Sequence, residues 1–335
     1  MDLPSPYALF LGDVDPLSAK TATGIAHWRA DRCVAQVTLP GCTVDLKLPA
    51  LSPAAAAAAG ARLLIVGVAN FGGKVADNWV PTLVEALEAG LDVASGLHQR
   101  LADIPALAQA AARYERRLFD VRHPRPGQTP IATGKKRSGK RVLAVGTDCA
   151  VGKMFAALAI ERELRSRGIA ADFRATGQTG IFIAGSGVSV DAVVSDFVAG
   201  AAEALSPAND PDHWDVVEGQ GSLHHPAYAG VTLGLIHGSQ PDALVLCHSI
   251  EREQLDGYPE YRVPGFKEAI EVNERAARLT NPRAKVVGVS VNTSKVSAET
   301  AREYLATLES ALALPCCDPV RTGVRPIVDR LLAEA

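Results

Sequence analysis

The chain has 335 residues, 47% of them apolar and with a formal net charge of −3. That length favours two domains over a single core, and a near-neutral balance gives none of the basic footprint that nucleic-acid binding requires. No run of apolar residues reaches membrane-spanning length: the most apolar region, 54–69, is broken by Gly60 and Arg62.

In chain order, the N-terminal stretch MDLPSPYALFLGD lacks a basic leader and a long apolar segment, so no signal peptide is expected. The alanines of 54–59 are helix formers. ARLLIVGVA (61–69) reads as a buried strand, FGGK (71–74) as a loop, PTLVEALEAG (81–90) as a helix closed by Gly90, and LDVASG (91–96) as a second strand. A strand–loop–helix–strand unit of this kind predicts a Rossmann-like α/β domain over 1–130. Residues 131–140 lie in a Pro-, Gly- and Lys-rich stretch without apolar period, and the basic run KKRSGKR (135–141) reads as a solvated linker. Beyond it, strands are expected at 141–146, 169–177, 213–222, 241–249 and 285–294, and helices at 152–167, 265–279 and 297–313. This alternation predicts a second α/β domain with a parallel sheet over 141–335. The six cysteines (33, 42, 149, 247, 316 and 317) show neither a disulfide framework nor metal-ligand spacing, so reduced thiols, no metal site and a cytoplasmic location are expected.

The chemistry concentrates at two glycine loops. GTDCAVGK (146–153) joins a strand to a helix, so the backbone N–H groups of Gly146, Thr147, Asp148, Cys149, Ala150, Val151 and Gly152, with the Lys153 ammonium, would cradle a phosphate. Met154 stands where a magnesium-binding hydroxyl is usual, and a thioether is too soft for that ion. The loop therefore suits a pyrophosphate that needs no magnesium, as in coenzyme A, better than ATP–magnesium. In the second loop, EGQGSLHH (218–225), Glu218 ends an apolar strand and would accept a proton or hold magnesium, or else sit in a structural ion pair. His224 and His225 would serve as a base or merely pack the loop. The amides of Gly219, Gln220, Gly221 and Ser222 would stabilise an oxyanion. Arg174 would clamp a carboxylate or phosphate, or form an ion pair; Gln178 and Thr179 would donate hydrogen bonds to a substrate. Cys149 at a helix start is a conceivable acyl carrier, poorly placed for a thioester many bonds from the pyrophosphate. Lys20 and Lys74 are loop cations that would close over a substrate or remain solvated.

Two resemblances extend this reading. GTDCAVGK resembles the GTDT-x-VGKT loop of the dethiobiotin synthetase family, EGQGSLHHP (218–226) its EGAGG…P segment, and GVSVNTS (288–294) the strand whose Asn, here Asn292, lines the adenine pocket. The similarity covers 140–335 and implies a P-loop fold; Met154 departs from it and speaks against ATP-dependent carboxylation. Over the whole chain, AKTATGIAHWRAD (19–31), VGVANFGGK (66–74), GLDVASGLHQRLAD (90–103), GTDCAVGKM (146–154), TGQTGIFIAG (176–185) and EGQGSLHHPAYAG (218–230) resemble the DUF1611 family. Members of that family include D-glutamate N-acetyltransferases of bacterial D-glutamate catabolism. The resemblance implies an acetyl-CoA donor and a D-amino acid acceptor, with a homo-oligomer expected. An ATP- or GTP-dependent ligase or kinase, and a non-catalytic nucleotide-binding regulator, are the alternatives.

Overall fold

The computed structural model describes residues 3–16, 18–70 and 72–334. The chain forms two compact units, one of Met1–Pro124 with Gly177–Ser189, the other of Arg125–Thr176 with Val190–Ala335.

In the first unit five strands, β1 (Tyr7–Gly12), β2 (Cys33–Thr38), β3 (Leu63–Val66), β4 (Asp92–Ser95) and β5 (Leu118–Asp120), make a parallel sheet in the order β2-β1-β3-β4-β5. Helices α1 (Lys20–Trp28), α2 (Pro53–Ala58), α3 (Val80–Glu88) and α4 (Pro105–Arg113) connect them. β1, β3 and β4 are buried along their whole length, and β1 and β3 are correspondingly near-continuous apolar runs. β1, paired between β2 and β3, carries the run LFLG, read from the sequence only for what it excludes. The loop expected at 71–74 follows β3, with Phe71 outside the described residues.

The second unit holds β6 (Lys140–Gly146), α5 (Lys153–Ser166) and β7 (Ala171–Arg174); the chain then lends α6 (Gln178–Ala184) to the first unit and returns with α7 (Val198–Leu205), β8 (Trp214–Val217), α8 (Ala229–Ser239) and β9 (Ala243–Ser249). Next come a hairpin of β10 (Gln254–Leu255) and β11 (Tyr258–Arg262), then α9 (Phe266–Arg278), β12 (Lys285–Asn292), α10 (Ala298–Leu312), β13 (Cys316–Cys317) and α11 (Arg325–Glu334). Its six-stranded parallel sheet has the order β13-β12-β9-β6-β8-β7, so the strand after which the glycine loop begins is central. The two-domain α/β architecture agrees with the sequence reading.

Two expectations about chain organisation are corrected. In the basic run at 135–141 Lys135 and Lys136 are exposed, but the two arginines are not solvated: Arg137 donates to the carbonyls of Gly238 and Ser239 (2.8 and 2.9 Å) at the end of α8, and Arg141 to those of Ser138 and Pro207 (3.0 and 2.9 Å). Both guanidiniums are tied to backbone carbonyls, and burial pulls the Arg137 pKa down to about 10. Nor is 141–335 contiguous as a structural unit. Residues 177–189 leave it, because the middle of α6, GIFI, is apolar all round and finds its burial in the first unit.

Candidate active site

The first glycine loop starts where β6 ends. Thr147 is anchored to β9: its N–H donates to the Cys247 carbonyl (3.0 Å) and its hydroxyl lies 3.0 Å from His248 Nδ1. Asp148 is fully buried and fixes the turn, Oδ1 accepting the Cys149 N–H (2.7 Å) and Oδ2 the Asp256 N–H (2.9 Å), with Arg252 3.4 Å away. Ala150 (φ +53°) and Gly152 (φ +99°) then turn the backbone through the left-handed region into α5. α5 has no side-chain cap. Among the described residues, the N–H groups of Ala150, Val151, Gly152 and Lys153 meet no acceptor in hydrogen-bond geometry. This row of donors at a helix start is an anion cradle.

Lys153 completes it. Its buried ammonium donates to the Asp148 carbonyl (2.8 Å), and burial pulls its pKa below the ordinary lysine value, against the opposing pull of Cys149, Cys247, Asp148 and Glu218. A Cβ at Gly146 would sit 3.0 Å from Lys153 Nζ and 2.9 Å from the Asp148 carbonyl oxygen, so only glycine admits this close approach. Met154, half-buried, puts a thioether at the second helical position. Beside Ala150 opens a cleft of about 690 Å³ lined by Ser249, Arg252, Tyr258, Asn292 and Lys295. Asn292 thus lines the cleft next to the loop, at the end of β12.

The second loop lies against the first. Glu218, 4% exposed, follows β8; its carboxylate Oε2 accepts the Thr176 N–H (2.8 Å) and its charge is felt by Lys153. Gly219 is pressed onto β6: a Cβ there would lie 1.7 Å from the Ala144 carbonyl oxygen and 3.1 Å from Lys153 Cδ. Gly221 takes φ +66°, and the Gln220 carbonyl accepts the Thr232 hydroxyl (2.7 Å). Ser222 is buried and its hydroxyl accepts the His224 N–H (3.3 Å). The strand-end loops thus bring Lys153, Glu218 and the Gly219–Ser222 backbone together.

His225 and Arg174 are already committed to partners within the fold. His225 Nδ1 accepts the Ala227 N–H (3.2 Å), so the proton is on Nε2, which donates to the Asp256 carbonyl (3.0 Å). Its ring stacks on Tyr228 (4.7 Å) and meets the edge of Tyr258 (5.0 Å), so both nitrogens and both faces have partners within the fold, the arrangement of a residue that packs the loop. His224 Nε2 is shut away from solvent without a partner, and burial lowers its pKa. Arg174 takes the ion-pair alternative: Nε and Nη2 both bind Asp215 Oδ1 (2.8 and 2.7 Å), and Nη2 lies 3.2 Å from Asp172. Cys149 is held as a thiol, its pKa pushed up to about 11 by burial. Its Sγ, an Asp148 oxygen and a His225 nitrogen lie within 4.8 Å of one another, but the carboxylate and imidazole are occupied as described.

Gln178 and Thr179 belong to the first unit, not to the loops above. Thr179 donates to the Thr21 hydroxyl (3.1 Å). The Gln178 amide, oriented to satisfy its neighbours, donates to the Gly96 carbonyl (2.8 Å) and accepts from Arg122 Nη2 (3.0 Å). Lys20, at the start of α1, and Lys74 are exposed residues of that same unit. Sequence reasoning missed Thr176, Arg252 and Asp256. Thr176 was visible as the first residue of the TGQTG motif; Arg252 and Asp256 lie in a polar loop without a pattern.

Residues 130–328 match the model of the DUF1611 P-loop domain, and residues 37–124 that of the DUF1611 N-terminal Rossmann-like domain, both described as domains of unknown function. The chain belongs to the DUF1611 family. A family relative from Tritonibacter scottomollicae, named D-glutamate N-acetyltransferase, is 53% identical over 98% of this chain and 99% of its own. Another of the same name, from a Pseudoalteromonas species, is 48% identical over 99% of this chain and all of its own. The crystal structure of a DUF1611 protein from Anabaena variabilis ATCC 29413 is 32% identical, covers 98% of this chain and 100% of its own, and superposes with a TM-score of 0.89. Among the described residues no helix is long and apolar enough to cross a membrane.

Proposed function

We propose that this DUF1611 protein is an N-acetyltransferase that moves the acetyl group of acetyl-CoA to the amine of D-glutamate. The observation that carries the reading is the end-to-end identity, 53% and 48%, to two proteins named for that activity. The site geometry supports it. The free N–H row of 150–153 and the Lys153 ammonium suit a phosphate group of the coenzyme. Glu218 is the carboxylate next to that loop and takes the proton from the acceptor's ammonium. The freed amine attacks the thioester carbon; a C–N bond forms, the C–S bond breaks, and the coenzyme leaves as thiolate, which becomes the thiol by taking up the proton that the nitrogen gives up as it becomes an amide. The backbone of 219–222 faces the oxyanion of the tetrahedral intermediate. A phosphate loop also supports a second reading, an ATP- or GTP-dependent ligase or kinase, which Met154 weakens.

The test is release of free thiol from acetyl-CoA by the purified protein, followed with a thiol reagent. D-glutamate should release thiol and L-glutamate far less. No thiol with D-glutamate at any coenzyme concentration removes the acetyltransferase reading.

A further inference from the structure

Thr176 sits between β7 and the point where the chain passes into residues 177–189, and it is fully buried. All its polar groups are engaged. Its N–H donates to Glu218 Oε2 (2.8 Å), and its hydroxyl donates to the Glu218 carbonyl (2.7 Å) while accepting from Gln220 Nε2 (3.2 Å). Its carbonyl accepts the Val190 N–H (3.0 Å), where the chain returns. One residue thus holds both the side chain and the main chain of Glu218, from 42 positions away, and the side chain of Gln220 as well. A glutamate left to itself has three side-chain torsions, and a proton acceptor must stand within hydrogen-bond reach of the ammonium to act. Valine would fill the same volume as threonine but make neither hydroxyl bond.

We infer that Thr176 is a positioning residue for Glu218: its N–H orients the carboxylate, and its hydroxyl ties the strand-end backbone and Gln220 to it. The inference rests on the reading of Glu218 as the proton acceptor. Its test compares kcat and KM for both substrates in the full-length protein and in Thr176→Ser, Thr176→Val, Glu218→Gln and the Thr176→Val/Glu218→Gln double variant. Melting curves check the fold of each. Thr176→Val should lower kcat by about 10- to 100-fold, the loss that follows a displacement of about 1 Å, with the KM for acetyl-CoA little changed. Thr176→Ser, which keeps the hydroxyl, should restore most of that loss. In the Glu218→Gln background Thr176→Val should cost almost nothing further, because the group it positions is gone. An equal loss in both backgrounds, or a Thr176→Ser as impaired as Thr176→Val, overturns the inference and leaves Glu218 in its role. Full kcat in Glu218→Gln overturns the reading of Glu218, and the role of Thr176 with it. Should Thr176→Val fail to fold, Thr176→Ala, which also removes the hydroxyl without adding bulk, takes its place in every comparison.

Discussion

Lys153→Ala is the sharpest probe of the phosphate loop. The Lys153 ammonium has one carbonyl partner, Asp148, at 2.8 Å, and it is buried, so an anion on the loop would gain a charge-assisted bond with little competing water. Hydrogen bonds to charged groups contribute about 1.5–3 kcal/mol, so its loss should weaken acetyl-CoA binding by about 10- to 150-fold. In thermal shift, coenzyme at about 100 times the wild-type Kd stabilises by about 2.7 kcal/mol; at that concentration the variant should gain only about 0.3–1.4 kcal/mol. Titration calorimetry gives the Kd directly and adds a pH signature. Burial lowers the Lys153 pKa, and a bound anion would raise it again. Binding then takes up a proton at pH values above the lowered pKa, so affinity should fall as the pH rises through it, and Lys153→Ala should lose that dependence. A folded Lys153→Ala protein with unchanged affinity at every pH would show that the coenzyme is bound elsewhere.

Acetyl transfer should survive EDTA, because Met154 offers magnesium no oxygen; loss on chelation with recovery on adding magnesium would favour the nucleotide-dependent reading. Cys149→Ser should keep kcat within about threefold, since the reactive form is the thiolate and burial suppresses it; an acetyl group found on Cys149 by mass spectrometry would contradict this. Arg174→Ala should lower the melting temperature, by the equivalent of about 3 kcal/mol for stranding a buried carboxylate, and leave both KM values alone. A raised KM at unchanged melting temperature would make Arg174 a substrate clamp after all.

The strands that carry the site were legible because buried parallel strands are written as apolar runs: RVLAVG, WDVV, ALVLCHS and KVVGVSVN all lie where the sequence puts them. The phosphate loop was legible because its residues are contiguous. The commitments of single side chains were not. Arg174 finds Asp215 41 positions away, and His225 finds the Asp256 carbonyl 31 positions away. No local pattern distinguishes an arginine or histidine with such a partner from one without. The same holds for Arg137 and Arg141, whose basic run reads as solvated until the carbonyls they cap are in place. The partners of Gln178 were hidden for a related reason: Gly96 and Arg122 belong to the other half of the sequence, and a Cβ at Gly96 would lie 2.6 Å from the Gln178 Cβ.

The borrowing of residues 177–189 by the first unit has a bearing on synthesis. That unit lacks its last helix when residue 124 has been made, and the missing piece ends 65 residues later, at 189. At a translation rate of about 5–20 residues per second, the gap lasts roughly 3–13 s, long beside most elementary folding events. During that interval the nascent first half carries an uncovered apolar surface awaiting Ile181, Phe182 and Ile183. It is the stage at which a ribosome-associated chaperone would find most to bind, and a chain cut at the apparent linker would keep that surface permanently.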